Sequence, residues 1–327
     1  MTDFKPNENF KYYMYFISER MKIFWNKYDG YHPYTEDEIL LKHKFTNVYR
    51  VLDRSSQFLL SDVIYNNTLY TPMDMFWRII LYKNWNLPST WRAVTAGVGD
   101  ITLHTPIEEI KECLDIVHKF QPVYSNAYML TCPFMRNESF LDNYGLQLGD
   151  PKYWLYLKIF RKDFLEKGIM EKCLMSTTFE ELFLNLKSVL SFADFLSYQM
   201  AQDLNYTTFF NFDDNDFCAA GPGTQRGIER CFTIVGKPNY QEIVKWVQSN
   251  FEQLIEDYKV EFIPLPNNWL PKVPDLSNCF CEVDKYLRGS GIITEGKEIY
   301  GKQIKNHFTE SNSKIDFVFP PKWRVKL

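Results

Sequence analysis

An all-α fold is predicted from three observations. Apolar residues recur at helical spacing along most of the chain, as at Phe192, Leu196, Met200 and Leu204, which places them on one face of a helix. Helix-opening signals, a capping residue followed by proline, recur at Thr71-Pro72 and Thr105-Pro106. Strand signals are few, confined to Ile315 to Phe319. Since 45% of the 327 residues are hydrophobic and 17% aromatic, the chain is expected to be globular, with material for two helical lobes.

The elements follow in order. Phe10, Tyr13, Met14, Phe16, Ile17, Met21, Phe24 and Trp25 predict a first helix buried on much of its circumference. Gly30 and Pro33 end it, and Thr35-Glu36-Asp37-Glu38 reads as a capping box that opens the next. A long helix is expected from about Phe45 to Ile64. Val48, Val51, Leu52, Ser55 and Leu59 form its apolar face, and Asn47, Arg50, Asp53, Arg54 and Gln57 the other. A merely solvated face favours Lys and Glu, whereas this one carries side chains that make directional hydrogen bonds. Helices are next expected after Thr71-Pro72, with Phe76, Trp77, Ile80 and Leu81 inward, from Pro88, and after the box Thr105-Pro106-Ile107-Glu108. The loop-rich stretch from Asn137 to Pro151 marks a boundary between lobes. Pro151 to Phe164 interleaves Tyr153, Trp154, Tyr156 and Phe160 with Lys152, Lys158, Arg161 and Lys162; such a pattern is either a helix with a wet face or a grip on nucleic acid. Tyr240 to Tyr258 is a long amphipathic helix, with a short one near Cys281 to Leu287. Three regions are therefore expected: 1–150, 151–260 and a C-terminal extension, 261–327.

The stretch from Leu190 to Phe232 concentrates chemistry. A helix ending at Asn205-Tyr206 is followed by Asp213, Asp214 and Asp216, then by Gly221-Pro222-Gly223, with Thr224 placed to cap another helix. Three carboxylates within four residues need water, a cation or a shared proton. A glycine-rich loop that opens a helix presents free N–H groups to an anion.

Several classes are disfavoured. No apolar run approaches the length of a membrane span, and the polar N-terminus lacks a signal-peptide core. The seven cysteines show no paired CxxC spacing, which suggests reduced thiols in the cytoplasm. The five histidines are scattered, so no metal site and no cofactor are expected. Gly291 to Lys297 imitates a phosphate-binding loop, but Glu298 stands where Ser or Thr should follow. A net charge of −4 argues against a non-specific nucleic-acid coat and leaves room for a local basic face.

The sequence resembles one family, which includes the helical domain attached to phage 5-hydroxymethyluracil DNA kinases and the alpha-glutamyl/putrescinyl thymine pyrophosphorylases. The resemblance rests on the run from Lys44 to Arg50 with Asp53-Arg54 and Ser56-Gln57, on Phe76-Trp77-Arg78, Tyr82-Lys83 and Thr90-Trp91, and on Tyr198-Gln199, Asp203-Leu204-Asn205-Tyr206, Asp216-Phe217, Gly221-Pro222-Gly223 and Arg226-Gly227. Cys281-Glu282 and Lys285-Tyr286 extend it, so that it covers about 35–287. Such proteins look like distant relatives of helix-hairpin-helix DNA glycosylases, which implies a two-lobed fold of that kind acting on bulky, phage-type modified pyrimidines in DNA. The chain departs from ordinary glycosylases at Ser188 to Ala193, where their glycine-rich hairpin would lie.

Three functions are expected, in this order. A glycosylase would flip the modified base, such as glucosylated hydroxymethylcytosine, and release it in anti-phage defence. Asp216 would stabilise the sugar cation or orient water, with Asp213 or Asp214 as substitutes. Asn47, Arg50, Asp53, Arg54, Gln57, Tyr198, Gln199, Asp203 and Asn205 would read the base, and Gly221, Gly223, Thr224 and Arg226 would bind phosphate. The alternatives are a transferase that attaches an amine to pyrophosphorylated hydroxymethyluracil in DNA, and a non-catalytic reader. With no kinase segment apparent in the sequence, excision is expected ahead of transfer. Modified DNA is the expected partner, with no obligate protein partner.

Overall fold

The computed structural model describes residues 3–66, 68–127, 133–292, 304 and 316–327. Among them the fold is all-α apart from one two-stranded sheet. Strand β1 (Asp3–Pro6) leads into α1 (Phe10–Asp29) and α2 (Glu38–Lys42). Then come α3 (Arg54–Phe58), α4 (Pro72–Trp85), α5 (Pro88–Val98), α6 (Ile107–Phe120), α7 (Glu138–Asp142) and α8 (Lys152–Phe160). Next are α9 (Ile169–Leu174), α10 (Phe179–Lys187), α11 (Asp194–Asn205) and α12 (Pro222–Cys231). Strand β2 (Phe232–Val235) precedes α13 (Tyr240–Ser249), α14 (Phe251–Asp257) and α15 (Val273–Gly289).

The chain forms two compact units. The first joins Met1–Asp53 to Asp213–Leu327; the second is Arg54–Phe212. The expected boundaries near 150 and 260 therefore fall inside units. The cause is pairing between distant segments, to which composition is blind. In the first unit β1 pairs antiparallel with β2, Phe4 opposite Ile234, and α1 lies on α15. Tyr13 stacks on Phe280 with centroids 4.0 Å apart, and its hydroxyl donates to the Leu276 carbonyl at 3.0 Å. Helix α12 crosses α15 through two glycines. A Cβ at Gly227 would stand 2.0 Å from the Phe280 carbonyl oxygen, and one at Gly223 2.4 Å from the Cys281 sulfur.

The second unit is organised on α4, which is buried at every position from Met75 to Trp85. Thr71 caps it, accepting from the Asp74 N–H at 3.1 Å. The Arg78 guanidinium is spent on structure. It donates to the carbonyls of Val63 and Ile101 at 3.2 and 3.1 Å and lies over the Tyr70 ring. The basic and aromatic stretch at 152–164 is largely paired within the unit: Lys158 sits 4.3 Å from the Trp154 ring and 3.7 Å from Glu108, and Lys162 donates to the Asn143 carbonyl.

Several expected elements are corrected. No single helix spans Phe45 to Ile64. A 3₁₀ turn at Arg50–Leu52, α3 and a π-helical turn at Leu59–Ile64 take its place. The N–H groups of Asn47 and Arg50 are taken by side-chain carboxylates of Asp53 and Asp275, both at 2.9 Å, so the backbone is satisfied without a helix. The helix from Tyr240 breaks at Asn250, whose side chain donates to the Trp246 carbonyl at 2.8 Å. Asp37, not Thr35, caps α2. Helix α6 begins at Ile107 with no side-chain cap, and the Thr105 hydroxyl accepts from Thr102 instead. Gly221 is the N-cap of α12, while Thr224 donates to the Ser277 carbonyl at 2.9 Å. The expected strand at 315–319 is not seen over 316–319; residue 315, and the phosphate-loop mimic beyond Ile292, lie outside the described residues.

Candidate functional site

The second unit contains an unusually polar interior where α4 and α11 meet. Helix α11 is buried at every position from Leu196 to Asn205, including Ser197, Gln199, Gln202, Asp203 and Asn205. Lys83 of α4 reaches Asp203 of α11 at 2.9 Å, and the two side chains are only 4% and 1% exposed. Taking an ammonium and a carboxylate out of water costs several kcal/mol each, which their attraction only roughly offsets. Beside Lys83 stands Asn84, and beside Asp203 stands Gln202, 4% and 3% exposed. All four amide atoms of these two side chains lack a hydrogen-bond partner among the described residues, as does the indole N–H of Trp85. An unmet buried donor or acceptor costs about 1–3 kcal/mol.

The base-reading residues expected on α11 fall in or beside this interior. Asp203 is its carboxylate. Gln199 is 9% exposed, and the Tyr198 ring packs edge-on against Phe179. Asn205 has a structural duty: its amide donates to the Phe212 carbonyl at 3.1 Å and accepts from the Phe212 N–H at 3.2 Å, closing the loop between them. Lys83, Asn84 and Gln202 were not among the expected site residues. The signal for them was present. A helix apolar on all sides, as α4 is from Phe76 to Tyr82 apart from Arg78, is a buried helix, so polar residues within it are buried too.

The expected face at 47–57 does not hold together as one helix surface. Asn47, Arg50 and Asp53 belong to the first unit, where they build a turn; Arg54 and Gln57 belong to the second. Asn47 donates to Leu52 and Asp53 and accepts from Arg20 at 3.1 Å. Burial is the main influence on two carboxyls here. It pushes Asp53 up to about 6 and Asp275 up to about 7, against the opposing pull of the backbone N–H groups they accept from. Gln57 is buried and Arg54 exposed.

The Gly-Pro-Gly segment lies in the first unit. Gly223 faces Cys281 closely, as described, so packing alone accounts for a glycine there. Arg226, Arg230 and Arg288 converge on the fully buried Asp284, at 3.3, 2.8 and 3.4 Å; Arg226 is the accessible member, 46% exposed. Asp213 and Asp216 are exposed. Asp213 accepts from the Asn215 N–H at 2.9 Å, as in a local turn, and the Asp216 carbonyl accepts from Lys245. An open groove of about 520 Å³ nearby is lined by Cys218, Ala220, Gln225, Lys237, Tyr240 and Gln241, among others. Among the described residues no group of three or more His, Cys, Asp or Glu is placed to hold a metal, and no helix is long and apolar enough to cross a membrane.

With this geometry in hand, the comparison with known families is decisive for kinship. A family model described as "5-hmdU DNA kinase, helical domain" matches residues 7–292. The chain belongs to that family. A 5-hmdU DNA kinase of Bacillus phage SP10 is 22% identical over 290 residues, covering 84% of this chain and 44% of the phage protein. The chain thus spans less than half the length of that relative. No solved structure gives a significant match. In this chain, the buried Lys83–Asp203 pair is a charged feature of the interior with chemical capacity. The ammonium can donate to a bound polar group, and the carboxylate can accept from one.

Proposed function

We propose that this chain is an enzyme acting on DNA that carries 5-hydroxymethylated pyrimidines, and that it transfers a group at the 5-methylene of the base. Membership of the helical-domain family named for 5-hmdU DNA kinases, over residues 7–292, carries this reading. A kinase moves a group onto an oxygen; the same methylene, once its oxygen bears pyrophosphate, is open to displacement. An incoming amine would form a C–N bond as the C–O bond breaks. Pyrophosphate would leave, and the amine's proton would pass to a base. Lys83 and Asp203, 2.9 Å apart, are the charged side chains proposed to hold the base whose methylene reacts. Of the expected phosphate contacts, Arg226, 46% exposed, remains in the proposal; Gly221 and Thr224 are buried. Group transfer ranks above base excision here because the family takes its name from a transfer reaction, and because Asp216, the residue proposed for excision, sits in an exposed turn.

The experiment compares duplexes carrying thymine, hydroxymethyluracil, pyrophosphorylated hydroxymethyluracil, hydroxymethylcytosine or its glucosylated form. Each is incubated with and without a polyamine and ATP, then digested to nucleosides and weighed by mass spectrometry. The expected result is an amine-dependent mass gain on the pyrophosphorylated base, in strands that stay stable to alkali. Free base with alkali-labile sites would replace transfer by excision. A mobility shift without covalent change would reduce the chain to a reader.

A further inference from the structure

We infer that the interior between α4 and α11 is a binding site for a single pyrimidine base taken out of a DNA stack, held by the amides of Asn84 and Gln202 and by the Lys83–Asp203 pair. The inference deepens the proposed function and takes from it the choice of ligand; the presence of a site rests on the side chains alone. Asn84 and Gln202 are 4% and 3% exposed, and all four of their amide atoms lack partners among the described residues. Apolar side chains would fill the same volume without that penalty, so the amides are explained by a ligand that meets them.

The donor set defines the ligand. An ammonium only donates, an ionised carboxylate only accepts, and each amide does one of each. The ammonium of Lys83 repels a metal ion, and the carboxylate of Asp203 repels a simple anion. An apolar ligand would leave the amides as unmet as before. What fits is a neutral planar ring with neighbouring donors and acceptors on its edge. A uracil-type ring offers N3–H beside O4, and a cytosine-type ring its amino group beside N3. Either can bridge the pair, donating to Asp203 and accepting from Lys83, while the amides and the Trp85 indole N–H take the remaining ring atoms. A paired base has these edges occupied, so the ligand must be unpaired.

The test uses free nucleosides, so that binding is separated from reaction on DNA. Thymidine, 5-hydroxymethyl-2′-deoxyuridine, 5-hydroxymethyl-2′-deoxycytidine and deoxyadenosine are titrated into wild type, Asn84→Leu and Gln202→Met, with binding followed by saturation-transfer NMR. The pyrimidine nucleosides should bind the wild type and deoxyadenosine should not. Binding should weaken by about tenfold or more in each variant, while the melting temperature holds or rises, because an unmet amide has been removed. Which pyrimidine binds more tightly separates uracil-type from cytosine-type recognition. Wild type that binds no pyrimidine nucleoside, or variants that bind as wild type does, would overturn the site. A fall of more than about 5 °C in both variants with binding unchanged would mean that the amides hold buried water. If neither variant folds, the exchange-protected side-chain amide signals of labelled wild type decide: movement on adding thymidine supports the site, and static signals overturn it. Covalent change to modified DNA without nucleoside binding at these amides would sink this site and leave the proposed reaction. Nucleoside binding lost in the variants, with every DNA left unchanged, would do the opposite.

Discussion

The two units differ in how they satisfy certain buried polar groups. In the first, nearly every buried charge has an evident structural partner. Asp275 accepts from the N–H groups of Arg50 and Lys272, Glu282 accepts from Thr46 and pairs with Lys285, and Asp284 gathers three arginines. In the second, a buried ion pair adjoins two amides that have no hydrogen-bond partner among the described residues. Both interiors are polar, so polarity alone does not mark a site. Satisfaction separates them: the first unit's carboxylates are tied into the fold, whereas the amides of Asn84 and Gln202 are unmet among the described residues.

The largest expected effect tests the first unit's packing. Gly227→Ala places a methyl 2.0 Å from a backbone oxygen of α15, which cannot swing aside. The helices must part, and a loss at or beyond the roughly 1–3 kcal/mol of ordinary overpacking is expected, read as a fall in the denaturation midpoint or as failure to fold. Gly223→Ala meets a cysteine side chain at 2.4 Å instead and should cost less. Equal costs would mean that the crossing is not set by backbone contact.

Next comes the buried pair of the second unit. Lys83→Met strands the Asp203 carboxylate and should cost about 3–5 kcal/mol in urea unfolding. The double change Lys83→Met with Asp203→Leu should recover most of that loss. Recovery of stability without recovery of activity would separate the pair's chemistry from its role in the fold; a double variant as unstable as the single would make the pair a structural element like those of the first unit.

A smaller effect concerns pH. Asp53 and Asp275 titrate at about 6 and about 7 in the fold, above the value near 4 of an unfolded chain. The native state therefore binds their protons more tightly. Their contribution to stability is full below about pH 4 and is lost as pH rises through 6 and 7. The denaturation midpoint should be higher at pH 5 than at pH 8, and Asp275→Asn should flatten the upper part of that slope. A midpoint rising from pH 5 to 8, unchanged by that substitution, would show that these carboxyls are ionised in the fold.

The smallest effect on stability is expected of Arg226→Ala, since Asp284 keeps Arg230 and Arg288; the midpoint should move by less than about 1 kcal/mol. If Arg226 meets a DNA phosphate, its loss should also lower the salt dependence of DNA binding by about one counterion. An unchanged salt slope would confine Arg226 to its role beside Asp284.

Much of the helical framework was legible because its determinants are local. The apolar spacing gave α1, α4 and α11, and the Thr71 cap and Pro72 fixed the start of α4. What was not legible depends on partners far along the chain. The turn at 46–53 forms because Asp275, 225 residues away, takes the Arg50 N–H. A helix and such a turn share the same apolar spacing, so periodicity could not choose between them. The same limit applies to the site. Gln199, Asp203 and Asn205 stand out as polar residues on an apolar helix, but that Asn205 is bound to Phe212 while the Gln202 amide has no partner among the described residues is a fact of three dimensions. Lys83 was visible only as part of a shared motif.

The discontinuity of the first unit also sets an order of events during synthesis. Helix α1 leaves the ribosome with Tyr13 and Phe16 uncovered, and Phe280 and Tyr286 of α15, which pack on them, follow more than two hundred positions later. At about 5–20 residues per second, that interval lasts roughly 10–50 s. The continuous segment 54–212 can close around α4 in the meantime. Nascent chains that stall after residue 212 would carry a folded second unit and a bare aromatic helix. Helix α1 is therefore made long before the helix that covers it, and over that interval its aromatic face is open to aggregation.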